Sequence, residues 1–97
     1  KLIDAKYFKI GGRLDPSNIM FPIDMVGHGT HTASIATGNL VPDACLFRIA
    51  KGTVPSTTME IYKVCWASDA CADMDILAGF EAAIHDVMHA NLFLFVI

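Results

Sequence analysis

The chain has 97 residues and a formal net charge of -3 at pH 7. It contains no basic block, which argues against a nucleic-acid partner, and no apolar run near the roughly 20 residues that cross a bilayer. Hydrophobic residues make up 54% before the seven glycines are added, although a small domain should be more polar than the about 45–50% of ordinary domains, glycine included.

That excess suits an interior piece of something larger, or a chain with a covering partner. The two ends agree. Lys1-Leu2-Ile3 has neither a methionine nor a signal-peptide core, and "NLFLFVI" (Asn91 to Ile97) stops inside an apolar run. The expectation is one fragment, residues 1–97, of a larger domain.

Residues 1–25 read as an irregular entry, broken at Gly11-Gly12, Asp15-Pro16 and Phe21-Pro22, with a short strand near Tyr7 to Ile10. Gly27 to Thr37 reads as a helix ended by Gly38-Asn39. Gly29, Thr30, Thr32, Ala33, Ser34 and Ala36 give it little apolar bulk, so it is expected in a tight buried slot. Asn39 to Thr58 is mostly loop, with Pro42, Gly52 and Pro55.

Met59 to Trp66, "MEIYKVCW", is a β-prone run and predicts a strand. Asp73 to Met88 predicts an amphipathic helix, with Ile76, Leu77, Phe80, Ala83, Ile84, Val87 and Met88 on the apolar face. Asp73, or Ser68 and Asp69 nearby, can cap it. "LFLFVI" then predicts a buried strand. Strand, helix and strand make one βαβ unit with a right-handed crossover. Its apolar strands call for a parallel sheet covered on both faces.

Three cysteines, Cys45, Cys65 and Cys71, cannot form a complete set of internal bridges. Cys65 and Cys71 close the short loop "CWASDAC" and could pair if their Cα atoms lie within about 7 Å. A bridge there implies an oxidising compartment.

Two histidine pairs carry the candidate chemistry. His85 and His89 stand at i and i+4 on one helix face, the spacing of a zinc H-E-x-x-H motif. Asp86 stands where that motif has its glutamate; it is one carbon short of the same water, and a third ligand is lacking. Solvated residues on a polar helix face explain this pair as well. His28 and His31 stand near the other helix start, with no acidic or cysteine cluster to complete a metal site.

A histidine at a helix start suits general-base work, because the positive end of the helix dipole disfavours imidazolium. Gly27 and Gly29 leave room for a substrate backbone beside the His28 ring. A histidine simply hydrogen-bonded within a loop is the competing reading.

The string "GHGTHTAS" resembles the signature around the catalytic histidine of subtilisin-like serine proteases. "KLIDAKYF", "VPDACLFRIAKGT", "VPSTTMEIYKVCW" and "CADMDILAGFEAAIHD" follow in the order of the plant, cucumisin-like branch, so the resemblance covers nearly all of residues 1–90. It implies an α/β fold: a mostly parallel sheet with helices on both faces, three layers, incomplete in this chain. It implies an Asp-His-Ser triad in which His28 is the histidine, while His31 supports the helix. Asp24, Gly27, Gly29 and Thr30 become structural residues near the site. Cys65 and Cys71 match a cysteine pair of the plant branch.

There are departures. No D-T/S-G motif precedes His28, and Asp4 in "LIDAK" stands where relatives carry a small residue. The G-T-S nucleophile motif and the oxyanion asparagine are not in these residues; Ser34, Ser56 and Ser68 have the wrong contexts. Val26 replaces an acidic residue, although Asp24 fits the earlier acidic position. "HANLFLFVI" lacks the polarity with which relatives bind substrate backbone, and Cys45 replaces a small polar residue.

The expected function is a secreted serine endopeptidase acting on proteins or peptides, with no cofactor and no metal. Its other partner is the remainder of the catalytic domain, and the isolated chain is expected to be inactive. The alternatives are a non-catalytic binding or packing fragment, and a metal-dependent hydrolase using His85 and His89.

Overall fold

The computed structural model describes residues 2–44, 49–67, 70–87 and 93–96, with the backbone alone for residues 49, 70, 87 and 93–96. In chain order the elements are β1 (Leu2–Tyr7), α1 (His28–Thr37), β2 (Val41–Pro42), β3 (Ile49–Ala50), β4 (Met59–Lys63), β5 (Cys65–Trp66), β6 (Ala70–Cys71), α2 (Asp73–Val87) and β7 (Phe93–Val96).

Strand β4 lies at the centre of a three-stranded sheet in the order β1-β4-β7, and both pairings are parallel. Tyr62 stands opposite Lys6 on one side and Val96 on the other. Strands β2 and β3 form one small antiparallel ladder, and β5 and β6 another. The succession β4, α2, β7, with its two strands parallel, is the βαβ unit expected from the periodicity.

The entry differs from its expected form. The strand occupies Leu2–Tyr7, not Tyr7 to Ile10, within a stretch expected to be irregular. The breakers start only at Gly11, so Leu2–Tyr7 is free to extend along β4. The run Met59 to Trp66 is also divided. After Lys63 the chain leaves the sheet at Val64, and Cys65-Trp66 pairs with Ala70-Cys71 in a hairpin.

Both helices bury small residues in place of bulky ones. Helix α1 buries Gly29, Ala33 and Thr37, an i, i+4, i+8 line, and its remaining side chains are wholly or partly exposed. The expected tight slot is therefore a single stripe, and His31 lies outside it. Helix α2 repeats the device with Asp75, Gly79 and Ala83. Leu77, Phe80 and Ile84, expected to face a neighbour, are 52–68% exposed. Small side chains let a helix axis approach a sheet closely, and the wider apolar faces stay uncovered in this chain.

Two polar devices tie the layers. Asp75, fully buried, accepts backbone N–H bonds from Ile10 at 2.5 Å and Gly11 at 3.0 Å, clamping the entry loop to the start of α2. Gly11 suits the close approach there, since an added Cβ would sit 3.1 Å from Ala72 Cβ and the two would have to shift apart by a few tenths of an ångström. At the other end of α2, Asp86 Oδ2 accepts from Lys6 Nζ at 2.6 Å and from the Tyr62 hydroxyl at 2.5 Å. Lys6 also pairs with the buried Glu60 at 3.1 Å.

Lys6, then Tyr62, hold the Asp86 carboxyl down to about 2. Burial, then Asp86, pushes the Tyr62 phenol up. An unfolded aspartate titrates near 3.9, so the unfolded chain binds more protons than the folded one as pH falls from about 4 to 2. The stabilisation from Asp86 is fully present above that window and is lost through it. Asp86→Asn in the complete protein should therefore shrink the fall in thermal midpoint between pH 5 and pH 2.5. An equally steep acid fall in the variant would refute this role for Asp86.

Candidate active site

Helix α1 starts on His28 because of the residues before it. Gly27 has φ 88°, a left-handed conformation that suits glycine, and turns the chain into the helix. Its carbonyl accepts an early helical bond, from His31 N at 3.0 Å. Gly27 has no side chain to cap the free amides of the first turn, and Asp24 does so from three residues upstream. Asp24 Oδ1 accepts from the N–H of Gly27 at 2.7 Å and of Val26 at 3.1 Å, and Oδ2 accepts from Thr30 N at 2.6 Å. The Thr30 side chain, the largest influence, and these amides hold the Asp24 carboxyl down to about 2. A carboxylate at a helix N-terminus also complements the helix dipole.

The residues expected near the site thus have distinct places. Asp24 and Thr30 close the cap, Gly27 turns the chain, and Gly29 is buried on the packing line. His28 is exposed at the mouth of a cavity of about 670 Å³, which lies between α1, the end of β4, the hairpin and α2. Asp24, Lys63, Cys65, Trp66 and Phe80 are among its walls. Cys65 and Cys71 face each other across the hairpin, Cα atoms 4.2 Å apart, and are joined by a disulfide. Cys45 lies outside the described residues.

Lys63 was not singled out in the sequence, and it is central here. It is 5% exposed, and its Nζ donates to the Ile23 carbonyl at 2.8 Å and more weakly to that of Phe21 at 3.5 Å. The ammonium also lies 4.3 Å from the Trp66 ring centre, over an indole whose N–H donates to Phe8 O at 2.9 Å. Burial pushes its pKa down, and the Asp24 charge opposes that. The one signal in the sequence was a lysine inside the apolar run "IYKVCW".

The second histidine pair offers less. His85 is exposed, with Nδ1 3.5 Å from Asp86 Oδ1, and that carboxylate is already engaged by Lys6 and Tyr62. His89 lies outside the described residues. Among the described residues, no three His, Cys, Asp or Glu side chains form a group that could hold a metal ion.

Comparison with known proteins gives this geometry a family. The chain is 58% identical over 90 residues to subtilisin-like protease SBT4.14 of Arabidopsis thaliana, a match covering 89% of the chain. The chain belongs to the plant subtilisin-like proteases. Two further members from the same plant, SBT4.15 and SBT5.3, are 48% and 44% identical over the same share of the chain. The chain spans 12–13% of the length of these subtilisin-like proteases. No family model matches it, and no solved structure does. The small parallel sheet with two helices is a mixed α/β arrangement consistent with part of a subtilisin-like fold.

Proposed function

We propose that this chain is the part of a subtilisin-like serine endopeptidase catalytic domain that carries the triad histidine, His28. A serine from elsewhere in the enzyme attacks the peptide carbonyl. His28 takes the serine proton, then passes it to the leaving amine, while an aspartate on its other nitrogen fixes the ring. The observation that carries this reading is the placement of "GHGTHTAS": an exposed imidazole at a helix start, capped by Asp24 and opening on a cavity, in a chain homologous to subtilisin-like proteases.

The complete domain has helices on both faces of the sheet. In support, Thr37 of α1 reaches Met59, whereas Asp86 of α2 reaches Tyr62. Those two β4 side chains point to opposite faces, because strand side chains alternate. The enzyme works outside the cell on proteins or peptides. The Cys65–Cys71 disulfide supports an oxidising compartment, and no described helix is long and apolar enough to cross a membrane.

The complete enzyme should react with a serine-directed fluorophosphonate and lose peptide hydrolysis in step with labelling. A chelator should leave labelling unchanged. Intact folded protein that takes no label would favour a binding or packing role. Hydrolysis abolished by the chelator and restored by zinc would favour the metal reading of His85 and His89.

A further inference from the structure

We infer that Lys63 is a positioning residue for His28, acting through the Ile23 carbonyl and the Asp24 cap. The inference rests on the reading of His28 as general base. Nothing in the sequence ties position 63 to position 28; the link is geometric.

Lys63 sits at the end of the central strand β4, paired with Tyr7 of β1 just beyond the residues that are paired on both sides. Its ammonium is almost wholly removed from water, which is unfavourable unless its donors are used. They are used on a loop: the carbonyls of Ile23 and Phe21. Ile23 directly precedes Asp24, so fixing that carbonyl fixes the peptide plane from which the Asp24 side chain starts. Asp24 then holds three amides, at positions 26, 27 and 30, on both sides of His28.

Apolar packing among the described residues adds little to that hold. The neighbouring apolar side chains Phe21, Ile23, Met25 and Val26 are 47–72% exposed. The sheet therefore reaches the start of α1 through one buried cation and one carboxylate. These are also the two charged side chains that line the cavity among the described residues, next to the His28 imidazole. Trp66 forms the floor under the ammonium and is itself pinned to Phe8.

A general base must be held close to its working geometry, and a displacement near 1 Å can lower a rate about 100-fold. Such a loss appears in kcat, because Lys63 spends its Nζ donors on the Ile23 and Phe21 carbonyls of this chain. The test uses the complete enzyme, a peptide substrate, and a temperature well below every variant's thermal midpoint. Lys63→Met should lower kcat about tenfold or more while KM stays within about twofold. Lys63→Arg should restore most of kcat even though the larger side chain, overpacked, lowers the thermal midpoint. A purely structural lysine would not give recovered turnover with reduced stability.

The inference is overturned if Lys63→Met keeps kcat within about twofold and loses only stability, or if kcat and KM move together. If Lys63→Met does not fold, Asp24→Asn carries the test from the other end of the path. It removes the charge and places an NH2 group against an amide donor. A fall in kcat at constant KM supports the path, and unchanged kcat overturns it. His28→Ala separates the two levels. If that variant keeps turnover, the general-base reading itself falls; if it is dead while Lys63→Met is normal, only the role of Lys63 falls.

Discussion

In the complete enzyme, His28→Ala should lower kcat/KM by about 10⁴-fold or more, the scale of loss when a catalytic triad stops acting as a unit. The thermal midpoint should barely move. The His28 side chain is exposed at the first position of α1, and surface substitutions of this kind stay within about 0.5 kcal/mol. The cap that holds the helix start is made by Asp24 to backbone amides, and truncating an imidazole leaves it intact. Stability and activity should therefore separate cleanly, as expected of a side chain kept for chemistry.

His31→Ala is the matched control. A helix set in the expected tight slot would bury the His31 ring, and truncation would leave a cavity. The structure places it on the exposed side of α1, one turn beyond His28, so that expectation is corrected. Its loss should leave turnover largely intact and stability within about 0.5 kcal/mol. Full activity in His28→Ala would defeat the protease assignment. A dead but stable His31→Ala would point to a shared two-histidine site.

The elements that could be read in the sequence are those with local punctuation. Helix α1 runs between Gly27 and Gly38, and helix α2 starts at the expected Asp73; both signals are local in the chain. Strand β1 escaped because it owes its existence to pairing with residues nearly sixty positions away. The packing faces were misjudged for a related reason. Periodicity marks the bulky side of α2, but the residues it buries are Asp75, Gly79 and Ala83, a line of small or hydrogen-bonded side chains. At the site, His28 was legible as part of a string of adjacent residues. Lys63 was not, because its role depends on a loop carbonyl forty positions earlier.

Expressed alone, the 97-residue chain should hydrolyse no peptide and show no cooperative unfolding as a monomer. The radius of gyration is 14.8 Å, whereas a compact domain of this length has about 12.5 Å. Its extents, 44 × 32 × 17 Å, are those of a thin slab. A slab leaves most of its apolar side chains on a surface, and they are seen there: Leu14 is 87% exposed, and the Leu77, Phe80 and Ile84 face of α2 is open. Burial of such side chains supplies most of the favourable free energy of folding, about 1.5–3 kcal/mol for each one fully covered. Leaving them in water removes that contribution while the entropy of ordering the backbone is still lost. Uncovered apolar patches of this kind also favour association. Circular dichroism and sedimentation of the purified chain, with a peptide-hydrolysis assay on the same sample, check both halves. A sharp thermal transition in a monodisperse monomer would show that these faces need no cover. Inhibitor-sensitive turnover following the 97-residue chain through purification would show that His28 finds a nucleophile within it.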